Sequence, residues 1–101
     1  MDRRLNLQEI LASILGSNNV YFQPPETIKL KYPCIIYERS NIDQTYADNR
    51  SYIDKVCYSI TLITRSPESD LVKKILALPY CSYDRYYAAD TLNHDTFTLF
   101  Y

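Results

Sequence analysis

Residues 52–64, Tyr52-Ile-Asp-Lys-Val-Cys-Tyr-Ser-Ile-Thr-Leu-Ile-Thr64, alternate along most of their length. Val56, Tyr58, Ile60 and Leu62 fall on one face of an extended chain; Lys55, Cys57, Ser59 and Thr61 fall on the other. A period of two is the mark of a half-buried strand. The first face is assigned to the core and the second is expected to be only partly covered. This is the longest strand the sequence predicts, and the sheet is read outward from it.

Upstream, Pro33 to Arg39 (PCIIYER) is a second strand, with Cys34 and Ile36 on one face and Ile35 and Tyr37 on the other. Both faces begin apolar, which suits a central strand. The intervening residues 40–51 (SNIDQTYADNRS) are polar and aperiodic, and read as a long hairpin loop of the kind that often carries function. Val20-Tyr21-Phe22 is a short strand stopped by Gln23-Pro24-Pro25, because prolines remove ladder donors; residues 23–31 read as loop. Residues 2–15 form an amphipathic helix: Leu7, Ile10, Leu11, Ile14 and Leu15 make one apolar stripe. Asp2 suits its N-cap, and Gly16 suits the left-handed position after its end.

Downstream, Ser66-Pro67-Glu68-Ser69-Asp70 is a helix start, with a capping serine, a proline at the first helical position and acids near the dipole's positive end. Leu71, Ile75 and Leu78 face the core with Val72 and Leu76 beside them, and Pro79 ends the helix. Cys81–Ala88 and Asp95–Tyr101 are two last strands around a turn near residues 90–93, with Phe97, Leu99 and Tyr101 inward. The order is α-β-β-β-α-β-β. It predicts an α+β fold, a mainly antiparallel sheet of about five strands with two helices packed on one face, as a single domain over residues 1–101.

Bulk properties narrow the function. The length suits one domain that buries roughly 60–65% of its unfolded surface, enough for a modest core without a deep substrate cavity. The net charge of −1 lacks the basic surplus of a protein that lives by neutralising phosphates. No apolar run approaches a membrane span or a signal-peptide core, which points to a chain made and kept in a cytoplasm. Cys34, Cys57 and Cys81 are odd in number and lack a CxxC pair, so they read as small hydrophobes in a reducing compartment. Eleven tyrosines beside one glycine are unusual. Tyrosine joins an apolar body to a polar tip, which serves both small cores and protein interfaces.

Catalytic patterns are missing: no GxSxG, HExxH, Walker loop or GxGxxG occurs. The single histidine, His94, precedes Asp95, but strand neighbours point to opposite faces and make a poor relay; a surface or turn histidine is expected. Asp43, Asp48, Asp54 and Asp84 read as solvated loop charges. Tyr80, Tyr83, Tyr86 and Tyr87, with Arg85 among them, would stack on bases only if Lys29, Lys31, Arg39 and Arg50 joined that face. Otherwise one alternate set of these tyrosines is core and the other a subunit interface. The expectation is a protein with no enzyme activity, no cofactor and no metal.

The opening RRLNLQEILASILGSNNVYFQPPETIKLKYPCIIYE, the later YADNRSYIDKVCYSITLITRSPESD and the ending LPYCSYDRYYAADTLNHDTFTLFY together resemble small tail-completion proteins of tailed bacteriophages. These are also described as minor capsid, head-tail joining or tail-terminator proteins. The most telling pieces are NVYFQPPE, KYPCIIY, ITRSPESD and LNHDTFTLFY. The resemblance implies a virion protein assembled in the bacterial cytoplasm: a ring, usually of six copies, that caps the tail tube at the neck. Its implied partners are itself, the tail tube protein and a head connector or head-closure protein, with DNA as passing cargo and no membrane. Within that frame Tyr46, Asp48 and Arg50 of the 40–51 loop are the candidate ring contacts, since a long hairpin reaches beyond its own subunit. The alternatives are a head-closure or connector adaptor, a small nucleic-acid-binding protein, and a small enzyme pairing His94 with a cysteine.

Overall fold

The computed structural model describes residues 3–25, 27, 29–40, 56–65 and 70–101. In chain order they form α1 (Arg3–Leu15), β1 (Val20–Phe22), β2 (Cys34–Arg39), β3 (Cys57–Thr64), α2 (Leu71–Leu76), β4 (Cys81–Ala89) and β5 (Leu92–Phe100). The α+β class and the order α-β-β-β-α-β-β are as the sequence predicts. The five strands make one sheet in the order β1-β2-β3-β5-β4. β1 runs parallel to β2, and the other pairings are antiparallel.

β3 organises the core as its alternation requires. Tyr58, Ile60 and Leu62 are buried on one face. Across the ladder Ile60 and Leu62 meet Tyr37 and Ile35 of β2, while Tyr58 and Ile60 meet Leu99 and Phe97 of β5. Leu7 and Leu11 of α1 and Ile75 of α2 complete this one cluster, so both helices pack on the same face. Each large apolar side chain here contributes roughly 1.5–3 kcal/mol on burial. On the opposite face Ser59 and Thr61 are half-exposed, yet Cys57 and Ile63 are buried, so that face is less open than its composition implies.

α1 ends where a left-handed residue is available. Gly16 has φ +79° and its N–H donates to the Ala12 carbonyl at 2.8 Å. One polar side chain then ties the helix to the sheet. Gln8 Nε2 donates to the Val20 carbonyl at 2.9 Å, and Gln8 Oε1 accepts from the Tyr37 hydroxyl at 2.5 Å.

Four sequence-based expectations change or fall outside the described residues. The described part of β3 is eight residues, shorter than β4 and β5 at nine each; residues 52–55, the 41–51 loop, Asp2 and the Ser66-Pro67-Glu68-Ser69 helix start lie outside the description. Asp70 sits at the N-cap of α2 without a side-chain capping bond. Leu76 is exposed, not beside the core, because one residue of α-helix rotates it about 100° from the buried Ile75. The last turn is tighter than expected: Asp90 and Thr91 alone make it, with φ of 53° and 64°. Positive φ at both central positions is the type I′ geometry whose twist matches the flanking strands, so Leu92, Asn93 and His94 belong to β5 and not to the turn.

Candidate subunit interface

Among the described residues the sheet order leaves β4 outermost, paired to β5 on one side only. The two-residue turn sets which of its backbone groups are free. Ala89 and Leu92 close the hairpin as a hydrogen-bonded pair, so by the alternation of antiparallel ladders Ala88↔Asn93 and Tyr86↔Asp95 are non-hydrogen-bonded pairs. The N–H and C=O of Tyr86 and Ala88 therefore point away from the sheet. A β-bulge between Tyr83 and Arg85 interrupts the register, which adds local twist.

The other sheet edge is guarded. β1 has three residues, is followed by Pro24-Pro25, and has its Val20 carbonyl occupied by Gln8. Short length, nearby proline and covering side chains are the usual protections of an edge. β4 has neither lysine nor proline.

Tyrosines line this open edge. Tyr80, Tyr83, Tyr86 and Tyr87 are 49%, 40%, 51% and 38% exposed. The expected division into one core set and one interface set is not found. β5, not β4, lies against β3 and supplies the core residues Phe97 and Leu99, and the bulge shifts the alternation, so both tyrosine sets remain exposed. Tyr83 packs edge-on against Phe97, with centroids 5.4 Å apart, and its hydroxyl donates to Asp95 Oδ1 at 2.7 Å. That bond, with burial adding to it, pushes the Tyr83 hydroxyl up to about 12. The Tyr86 hydroxyl donates to Asn93 Oδ1, whose Nδ2 in turn donates to the Thr64 carbonyl. On the opposite face Tyr87 stacks on His94 at 4.6 Å and the Arg85 guanidinium lies 5.1 Å from the Tyr87 ring. These contacts hold the rings in fixed positions while leaving much of each in solvent.

No family model, curated protein or solved structure matches this chain.

The catalytic alternative finds little support in the positions of its residues. His94 and Asp95 face opposite sides of the sheet, since their β3 partners are Ile63 and Leu62. His94 is a half-buried strand residue, not a surface or turn histidine, and its Nδ1 is buried without a hydrogen-bond partner. Cys34 lies across the sheet from it with Ile63 between them, about 10 Å at normal strand spacing. Burial pushes the Cys34 and Cys81 thiols up to about 11 and raises Cys57 as well, which disfavours the nucleophilic thiolate. Among the described residues no three of His, Cys, Asp and Glu gather to hold a metal.

The nucleic-acid alternative needed basic residues beside the tyrosines. Lys29 and Lys31 precede β2 and Arg39 ends it, with β3 and β5 between them and β4. Arg85 is the one cation of β4 itself. Asp84, read as a solvated loop charge, is a strand residue whose Oδ2 accepts from Thr98 Oγ1 at 2.8 Å. Asp43, Asp48, Asp54 and the candidate ring contacts Tyr46, Asp48 and Arg50 lie outside the described residues. A shallow apolar groove of ≈ 550 Å³ runs between α1 and the chain end, lined by Leu7, Ile10, Leu78, Tyr80, Leu99 and Tyr101 among others.

Proposed function

We propose that the chain is a structural subunit of a tailed bacteriophage, a tail terminator that assembles with copies of itself into a ring on the tail tube and joins the tube to the head connector. One observation carries the assembly part: a nine-residue strand that is outermost among the described residues, lacks lysine and proline, and carries three exposed tyrosines, Tyr83, Tyr86 and Tyr87, each held by a hydrogen bond or a ring contact. Large rigid aromatic side chains with a polar tip are enriched at protein contacts, and an unprotected edge is a pairing surface. The phage assignment rests on the resemblance carried by NVYFQPPE, KYPCIIY, ITRSPESD and LNHDTFTLFY, which spans nearly the whole chain. A net charge of −1 suits a ring that DNA must pass without tight phosphate binding.

The test is to add the purified chain to growing tubes of the cognate tail tube protein and image them by negative-stain electron microscopy. A tail terminator caps one end of each tube and stops elongation there. Tubes that keep growing uncapped, while the chain attaches to a portal-side adaptor, would replace this assignment with the head-closure one.

A further inference from the structure

We infer that the contact between subunits of the ring runs head to tail: the tip of the β4–β5 hairpin of one copy, carrying Tyr86, Tyr87 and Asp90, seats in the groove between α1 and α2 of the next copy. The inference rests on the assembly reading above and names its contact.

The groove begins in α1, whose apolar stripe is wider than the sheet covers. Leu7 and Leu11 are buried in the core, while Ile10 and Ile14 stay half-buried and face the space beside α2. Two adjoining hollows of ≈ 550 and ≈ 580 Å³ share Asn6, Ile10, Leu78 and Tyr101, so they form one trough along the helix. Each is of a size that takes a bulky group, roughly 300–1,000 Å³. The hairpin tip offers such groups. Residues 86–91 are all exposed around the Asp90-Thr91 turn. Tyr86 and Tyr87 are 51% and 38% exposed, the first tied by its hydroxyl to Asn93 and the second stacked on His94. Rings fixed before contact lose little rotamer freedom on docking, and aromatic anchors in apolar pockets dominate the energy of protein contacts.

The positions of groove and tip make the contact heterologous. Tyr80, Leu99 and Tyr101 line the groove where β4 begins and β5 ends, and Asp90 and Thr91 lie where β4 ends and β5 begins. The nine residues of β4 separate them, roughly 30 Å at about 3.4 Å per residue, in a molecule 39 Å long. A chain therefore cannot place its own tip in its own groove. Two different surfaces meeting between copies repeat in one direction, and they close into a ring when the rotation allows it. Such a ring has two unlike faces, as an adaptor between tube and connector requires.

Charge sets the orientation. Glu9 on the α1 side and Lys74 on the α2 side flank the trough, and both are exposed. The hairpin carries Asp90 at its tip and Arg85 on its flank. With Asp90 toward Lys74, Arg85 falls on the Glu9 side; the reverse orientation sets like charges together. Lys73, beside Lys74 in the last turn of α2, adds to the attraction for Asp90. One tip in one groove buries less than the ~1,200 Å² at which stable pairs begin, so isolated pairs are short-lived. The last contact of a ring forms within one assembly, at high effective concentration, which favours closed rings over pairs.

Thiol cross-linking tests the contact. Thr91→Cys marks the tip and Ala77→Cys the groove; both positions are exposed, and Cys81→Ala is added to both chains. With a short bismaleimide, a mixture of the two chains is expected to give one covalent pair of unlike chains, and each chain alone none. A chain carrying both cysteines should cross-link into a closed oligomer. Lys74→Glu and Asp90→Asn should each slow the reaction about two- to fivefold, the range of an exposed ion pair. A Thr91→Cys chain that cross-links to itself, a mixture that gives no unlike pair, or a rate that both charge variants leave unchanged overturns the inference. So does an Ala77→Cys thiol that a monofunctional maleimide cannot reach in the dilute monomer, because the groove is then filled within its own chain. A chain that fails these tests yet caps tail tubes keeps the tail-terminator reading without this contact. Unlike pairs that form as described in a chain that never caps tubes support the contact and remove that reading.

Discussion

Replacing Phe97 by alanine tests the core register of the sheet. Phe97 is fully buried, opposite Ile60 of β3 and Tyr83 of β4, and packs edge-on against the Tyr83 ring. Truncating a fully buried phenylalanine costs about 3–5 kcal/mol, the sum of lost transfer energy and the cavity left behind. The Tyr83 ring contact accounts for about 0.5–1.5 kcal/mol of such a cost beyond area. A domain of this size has roughly 5–15 kcal/mol in total, so Phe97→Ala should remove about a fifth of it or more. At about 4–8 °C per kcal/mol the melting temperature falls by roughly 12–40 °C. Urea titration followed by circular dichroism measures the effect as a lower midpoint at unchanged slope. Phe100→Ala is the control. Phe100 lies on the opposite face and is half-buried, so its loss should cost less than half as much. A slip of one residue in β5 would exchange the two faces. Equal costs, or a Phe97→Ala cost below about 1 kcal/mol, would refute the β3–β5 register and the core built on it.

Other predictions follow from the backbone and from one hydroxyl. Thr91 is β-branched at φ 64°, and Thr91→Gly should stabilise the hairpin by about 1 kcal/mol, read as a raised melting temperature. Gly16→Ala should cost about 1 kcal/mol through the left-handed φ of +79° alone, because the added Cβ meets nothing within 4 Å; Gly16→Asn should cost less. The Tyr83 hydroxyl has a folded pKa of about 12, above its ordinary value of 10.0, owing first to its bond to Asp95. A raised folded pKa gives stability that is full below the unfolded pKa and is lost as pH climbs through the folded one. The native chain should therefore lose stability between about pH 10 and pH 12, and Tyr83→Phe should lose less of it over that window. Tyr83 is 40% exposed, so solvent screening keeps the difference small; pH-dependent urea titrations of the two proteins measure it.

Local patterns in the sequence carried much of the fold. The alternations around Ile60 and Phe97 are strong periodic signals, and the buried faces of β3 and β5 follow from them; the stripe of α1 is weaker, with Leu7 and Leu11 buried and Ile10, Ile14 and Leu15 partly so. Strand order was not legible. Nothing in Val20-Tyr21-Phe22 announces a parallel partner, and nothing in residues 81–101 tells which arm of the hairpin lies against β3. That choice made Phe97 and Leu99 core and left Tyr83, Tyr86 and Tyr87 on the edge. The hairpin turn was misplaced for a related reason: Asp90-Thr91 lacks the glycine that usually marks a type I′ turn, while Asn93 and Asp95 look like turn residues although they serve as strand acceptors for tyrosine hydroxyls. The tyrosine cluster was visible as a candidate interface by composition. Its orientation depends on the bulge at Asp84, which has no sequence mark.

The central claim is that this chain works by assembling, and its solution mass tests that most directly. Multi-angle light scattering over a wide concentration range, with and without the cognate tail tube protein, should show association that grows with concentration and a closed oligomer near six subunits, alone or on tube ends. A monomer at every concentration that ignores the tubes would contradict the account.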